Sequence, residues 1–175
     1  MIRILRQIFR TGIVTEPLPP AVEEEIRQTG ARLEEAIIKH FRRSLTIRQV
    51  DAGSCNGCEL EIHAINNSFY NCERFGVHFT ASPRFADMLL VTGPVSRNME
   101  IALQRTYNAT PTPKLVVAAG DCGCNGGIFG ESYASLGGID KVIPVDVYIP
   151  GCPPTPLALL NGILSAVDGY PGKKR

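Results

Sequence analysis

No stretch of this chain approaches the roughly 20 consecutive apolar residues that cross a bilayer. Its apolar runs are as short as "MLLV" (Met88 to Val91) and "LVVAA" (Leu115 to Ala119), so a membrane-spanning helix is not expected. An excess of either charge is missing as well: 18 Lys and Arg stand against 17 Asp and Glu, a formal net charge of +1 with a pI near 7.6. The strongly basic footprint of a nucleic-acid-binding domain is therefore absent, and no nucleic-acid partner is expected. The opening "MIRILRQIFR" is charged throughout and lacks the continuous apolar core and small-residue cleavage site of a secretory signal. Internal repeats and low-complexity tracts are not found. These absences lead to the expectation of a reducing, cytoplasmic setting, where six cysteines point to metal or redox chemistry ahead of structural disulfides.

What is present begins with enough chain for one compact domain: 175 residues, 44% of them hydrophobic. In the first ten residues Ile2, Leu5, Ile8 and Phe9 recur at helical spacing, with Arg3, Arg6 and Arg10 on other faces. Ten residues are too few to hold a helix alone in water, so a short basic amphipathic helix needs a partner protein or a membrane interface to lie on. "TEPLPP" (Thr15 to Pro20) reads as a connector. A second helix is expected over "AVEEEIRQTGARLEEAIIKHFRRSL", with Val22, Ile26, Leu33, Ile37 and Phe41 on one face and a weak point at Gly30. Its acidic start and basic end suit the helix dipole.

From Leu45 the pattern changes. "LTIRQV" (Leu45 to Val50), "GVHFTA" (Gly76 to Ala81), "DMLLVTG" (Asp87 to Gly93), "KLVVAAG" (Lys114 to Gly120) and "KVIPVDVYIPG" (Lys141 to Gly151) read as strands. "ELEIHAINNSFYNC", "NMEIALQRTYNA" and "PLALLNGILSAV" read as helices between and after them. Alternation of this kind predicts an α/β fold, a parallel sheet covered by helices on both faces. The division expected is an N-terminal helical segment over residues 1–43 and one α/β domain over residues 44–175, ending in a solvated "GKKR" tail.

Four cysteines follow predicted strands. Cys55 and Cys58 lie after the first, Cys122 in "GDCGCNGG" after the fourth, and Cys152 in "PGCPP" after the fifth. In an open parallel sheet every strand's C-terminal end lies on one edge, and ligands bind there. The four thiols can therefore meet. A thioredoxin-like dithiol would need only the first pair; two more cysteines on the same edge favour a four-thiolate site. Zinc and an iron-sulfur cluster both accept four cysteines. Structural zinc usually takes two close pairs in a small knuckle that is itself the core, whereas here one pair and two singletons hang from a sheet with its own core, which suits a cluster better. Cys124 stands as an alternative to Cys122, and Cys72 reads as a buried structural residue. The glycines of "GDCGCNGGIFG" match neither nucleotide-loop spacing.

"CNGCELEI", "ERFGVHFTASPRFADMLLVTGPVSRNM", "GDCGCNGGIFG" and "VDVYIPGCPPTP" together resemble the small subunit of membrane-bound, energy-converting nickel-iron hydrogenases, including the formate hydrogenlyase type. They are also similar to the 20 kDa iron-sulfur subunit of respiratory complex I. The resemblance covers roughly Ser44 to Val167. It implies a flavodoxin-like fold and one 4Fe-4S cluster on Cys55, Cys58, Cys122 and Cys152. It further implies electron relay between a ferredoxin-like subunit and the nickel-iron centre of a hydrogenase-like large subunit, at the cytoplasmic face of the membrane, with the N-terminal segment against integral-membrane subunits. The alternatives are a complex I-like quinone-reducing or sulfur-reducing complex and, in another class, a zinc-stabilised interaction module. The Cys55-Asn-Gly-Cys58 spacing follows the hydrogenase pattern; complex I subunits typically have two adjacent cysteines. Soluble hydrogenase small subunits carry further C-terminal cysteines for two more clusters, so one cluster is expected here. Glu59 and Glu61 stand beside the site as candidate proton or potential-setting groups, with Glu61 expected on a helix surface. Arg84 and Asp87 match a segment facing the subunit interface in these relatives and otherwise suggest a local ion pair. His63 is expected to be an ordinary helix residue.

Overall fold

The computed structural model describes residues 2–12 and 20–170. The connector, apart from Pro20, and the "GKKR" tail lie outside them. Five strands form: β1 (Leu45–Asp51), β2 (Val77–Phe79), β3 (Met88–Thr92), β4 (Leu115–Ala119) and β5 (Val147–Ile149). They make one sheet in the order β2-β1-β3-β4-β5, every neighbour parallel. This is the flavodoxin-like order, with its topological switch point between β1 and β3. The helices are α1 (Ile2–Thr11), α2 (Pro20–Phe41), α3 (Gly57–Ile65), α4 (Arg97–Ala109), α5 (Asp121–Asn125) and α6 (Pro156–Asp168). Among the described residues, no helix is long and apolar enough to cross a membrane.

Burial follows the strand alternation. Leu45, Ile47, Met88, Leu90, Leu115 and Val117 face one layer, where Leu33 and Ile37 of α2, Ile62 and Ile65 of α3, and Leu159 and Ile163 of α6 complete the core. Leu89, Val91, Val116 and Ala118 face the other, with Leu103 of α4 and Ile139 and Ile143 from the chain before β5. Every residue of β3 and β4 is buried, as central strands with helices on both faces require. Each such Leu or Ile contributes about 1.5–3 kcal/mol relative to exposure, which makes the sheet a rigid base for the loops at its edge.

The chain departs from its sequence pattern in three places. The helix expected over "ELEIHAINNSFYNC" ends at Ile65, because the Asn67 side-chain oxygen accepts the backbone N–H of both Phe69 and Tyr70, 2.9 Å each, and turns the chain. The strand expected from Gly76 to Ala81 shrinks to three residues ahead of Pro83. The strand expected from Lys141 shrinks to Val147–Ile149: residues 139–141 form a 3-10 turn that buries Ile139, and Pro144 removes a ladder donor. Helix α6 starts as its sequence suggests, with Pro156 in the first turn and the Thr155 hydroxyl accepting the Ala158 N–H at 3.2 Å.

Candidate metal centre

Because all five strands are parallel, the loops after β1, β4 and β5 open on one edge, and they carry Cys55 and Cys58, Cys122, and Cys152. The β4 and β5 loops are tied to each other: Asp121 N donates to Gly151 O at 2.9 Å and Gly151 N donates to the Asp121 carboxylate at 2.7 Å. The β1 loop is shaped by Asp51, whose carboxylate accepts Gly53 N and Ser54 N at 2.7 Å each. Asn56 then takes a left-handed conformation, φ 71°, and admits α3 with Cys58 in its first turn.

Glycines press the backbone against the thiols. A Cβ on Gly120 would stand 2.6 Å from Cys58 Sγ and 3.4 Å from Gly151 O; one on Gly127 would stand 2.8 Å from Cys122 Sγ. Both have positive φ, 85° and 52°, so these positions are closed to side chains by space and by conformation. A Cβ on Gly57 would meet Cys55 Sγ at 3.5 Å and Pro153 at 3.9 Å, which places the β1 loop beside the residue following Cys152.

The electrostatics show the same gathering. Burial pushes the Cys58 thiol up to about 12, with further contributions from the Glu59 carboxylate and from Cys122, Cys55 and Cys152. Burial also raises Cys122, followed by Cys152, Cys55 and Asp121. Cys58 and Cys122 each lie within Coulombic reach of the other three thiols, and neighbouring thiolates are held together most readily by a cationic group between them, so the donor set suits a metal centre. Among the described residues, no three His, Cys, Asp or Glu side chains come close enough to share a single metal ion. Four thiol donors, with glycine backbone pressed against the sulfurs of Cys58 and Cys122, are a donor set of the kind an iron-sulfur cluster takes.

Cys124 points elsewhere. Its thiol lies 3.7 Å from Ile149 O and 4.0 Å from Ala118 O, at the ends of β5 and β4. Burial raises it, with Asp121 next, and of the other cysteines only Cys122 contributes. Cys72 is fully buried in the sheet core, its thiol 3.1 Å from the Asn66 side-chain oxygen, and burial pushes it up to about 11.

The charged candidates divide. Glu59 is buried at 5% exposure, its carboxylate accepting the Ser54 hydroxyl at 2.6 Å and the Thr92 hydroxyl. Glu61 is half-buried and His63 is exposed. The expected Arg84–Asp87 pair does not form: Asp87 bonds Arg43 at 2.6 Å and the Thr46 N–H at 3.2 Å, while Arg84 is exposed. The reason is position. Asp87 enters β3 at the start of the strand, beside the chain that enters β1, and on the sheet edge opposite the cysteine loops.

Ser54, Thr92, Asp51 and Asp121, which build this edge, were not singled out by sequence. Only Asp51 carried a local signal, the Asp-x-Gly of a side-chain-capped turn.

A family model described as NADH ubiquinone oxidoreductase, 20 kDa subunit, matches residues 55–166, the span from the first of these cysteines into the last turn of α6. The chain belongs to that family. As a 20 kDa-type subunit it is 46% identical over 151 residues to formate hydrogenlyase subunit 7 of Escherichia coli K12, covering 86% of this chain and 58% of that protein. It therefore spans less than two thirds of that relative's length. It is 46% identical over 140 residues to the probable membrane-bound hydrogenase subunit mbhJ of Pyrococcus furiosus, covering 78% of this chain and 84% of that one. It is 49% identical over 108 residues to an NADH-quinone oxidoreductase subunit of Heliobacterium modesticaldum, covering 61% and 62%. Among solved structures it matches a chain of the membrane-bound sulfane sulfur reductase, an archaeal respiratory membrane complex. The TM-score is 0.64 and the identity 38%, over 77% of this chain and 72% of that one. These 20 kDa-type relatives are named as subunits of oxidoreductase complexes.

Proposed function

We propose that this chain is an electron-transfer subunit holding one 4Fe-4S cluster on Cys55, Cys58, Cys122 and Cys152. It relays electrons between the clusters of a ferredoxin-like subunit and the nickel-iron centre of a hydrogenase-like large subunit, for proton reduction or the reverse. The observation that carries this reading is the convergence of three cysteine-bearing loops on one edge of a parallel sheet, with Cys58 and Cys122 each in electrostatic reach of the other three thiols. When bound, the cluster supplies one-electron exchange. The chain's own groups do the rest: four thiolates hold it, Gly120 and Gly127 let backbone approach the sulfurs, and the Asp121–Gly151 bonds fix the two singleton loops relative to each other. No substrate bond is broken on this chain.

Residues 1–43 are assigned to a segment that makes partner contact and residues 44–175 to the cluster domain, into whose core α2 packs Leu33 and Ile37. Within the former, α1 carries the contact with the membrane part of the complex: Ile2, Ile4, Leu5, Ile8 and Phe9 are all exposed, and none of its residues is buried. We read the subunit as peripheral, at the cytoplasmic face of the membrane, and the uncovered apolar arc of α1 supports its peripheral contact.

A second reading has its own support. The 49% identity to a quinone oxidoreductase subunit and the match to a sulfane sulfur reductase favour a complex whose large subunit has no nickel. The two separate on the complex purified without oxygen. The hydrogenase reading expects iron, labile sulfide, nickel in the co-purifying large subunit and hydrogen uptake. Iron and sulfide without nickel would move the subunit to the quinone or sulfur complexes. Zinc without sulfide would end the electron-transfer reading altogether.

A further inference from the structure

Glu59 is the one buried carboxylate among the described residues. It follows Cys58 directly and is 5% exposed, yet no lysine or arginine pairs with it among the described residues. Its partners are two hydroxyls. The Ser54 Oγ, one residue before Cys55, donates to Oε2 at 2.6 Å and itself accepts the Asn56 N–H at 3.1 Å. Thr92, the fully buried last residue of β3, donates its hydroxyl to Oε1. Ser54 thus faces one carboxyl oxygen and Thr92 the other, and the Thr92 hydroxyl has the Val50 carbonyl at 3.3 Å as a second acceptor. Ser54 stands before the first cysteine of the pair, Glu59 after the second, and Thr92 on the neighbouring strand, so one carboxylate closes the cysteine loop and fastens it to the sheet.

From this geometry we infer that Glu59 is a positioning residue with an electrostatic output: it holds the Cys55–Cys58 loop to the end of β3 and sets a fixed negative charge that keeps the cluster's reduction potential low. The inference rests on the cluster reading above. A hydroxyl donor only partly offsets a buried charge, and an unneutralised charge at short range in a low-dielectric site opposes addition of an electron. Burial of a carboxylate without a cationic partner costs stability, and potential control is a return that a neutral residue of the same shape would not give.

The test is Glu59→Gln in the assembled complex, with iron and sulfide content, the electron paramagnetic resonance spectrum of the reduced cluster, and the midpoint potential titrated at one pH. Glutamine keeps the shape: its oxygen accepts from Ser54, and its amide N–H donates to Thr92, whose own proton turns to the Val50 carbonyl at 3.3 Å, so the cluster is expected to remain, with a more positive midpoint. Glu59→Asp keeps the charge on a shorter arm and is expected to shift the midpoint less than Gln. A retained cluster with an unchanged midpoint in Gln overturns the inference, as does an equal positive shift in Asp and Gln. Loss of iron and sulfide from both variants reduces Glu59 to a fold contact and overturns it too. Absence of iron and sulfide from the unmutated complex refutes the cluster reading instead.

Discussion

The assignment of the third thiolate turns on the direction of two sulfurs two residues apart. Cys122 Sγ sits under Gly127 and within reach of Cys55, Cys58 and Cys152, whereas Cys124 Sγ turns toward the carbonyls that end β4 and β5. Cys122→Ala is expected to abolish the low-temperature resonance of the reduced cluster, and Cys124→Ala to retain it. A reversed result would exchange the two ligands. Gly120 gives a second residue-scale prediction. With φ at 85° and Cys58 Sγ 2.6 Å from a would-be Cβ, Gly120→Ala displaces the Cys58 thiol and strains the backbone at once. Iron content per complex is expected to fall well below stoichiometric, while Gly130→Ala, where no atom lies within 4 Å of the added carbon, serves as a comparison that bears backbone strain alone. Equal iron in the two would show that space at Gly120 is not what matters. The sequence placed the four cysteines on one edge through strand counting alone, but it was silent on Ser54 and Thr92. A hydroxyl that reaches a carboxylate from a neighbouring strand leaves no mark on local pattern, since only the folded register brings the two together.

At the scale of elements, the central strands were legible because burial on both faces makes them continuous apolar runs. β2 and β5 were read too long: turn chemistry at Pro83 follows the early end of β2, and the 3-10 turn and Pro144 delay the start of β5. Gly30 shows a subtler limit. Helical propensity marks it as a weak point, and α2 does continue through it. Its reason is packing: a Cβ there would stand 2.1–2.4 Å from three ring atoms of Phe75, itself buried next to the chain entering β2. Gly30→Ala therefore sets two effects against each other. Removing a helix-interior glycine is worth about 1 kcal/mol, while overpacking a closed contact costs about 1–3 kcal/mol. Overlap with three ring atoms in a buried setting makes the second the larger. The expected outcome is net destabilisation of about 1 kcal/mol, a fall of roughly 2–4 °C in the thermal midpoint. A midpoint that rises would mean that Phe75 moves aside freely.

The whole molecule divides its surface by function. The sheet's C-terminal edge offers thiols, while α1 offers a face the protein's own core leaves uncovered. Around that helix Ile2, Ile4, Leu5, Ile8 and Phe9 fall on one arc and Arg3, Arg6, Gln7, Arg10 and Thr11 on the other, with no acidic residue among them. Exposures of 83% at Ile2 and 86% at Phe9 leave two large apolar side chains in water, an arrangement that gains free energy once the apolar arc enters a lipid interface and the arginines stay at the headgroups. Each basic residue near an anionic surface contributes about 1 kcal/mol, so reversing all three removes at least about 3 kcal/mol, a partition change on the order of 100-fold. Full-length chain carrying Arg3→Glu, Arg6→Glu and Arg10→Glu is accordingly expected to lose co-sedimentation with phosphatidylserine-containing vesicles, while the unmutated chain binds them in preference to neutral ones. If the unmutated chain ignores both kinds of vesicle, the apolar arc belongs against a membrane protein, and loss of co-purification with the complex in an Ile8→Asp, Phe9→Asp variant would then identify that contact.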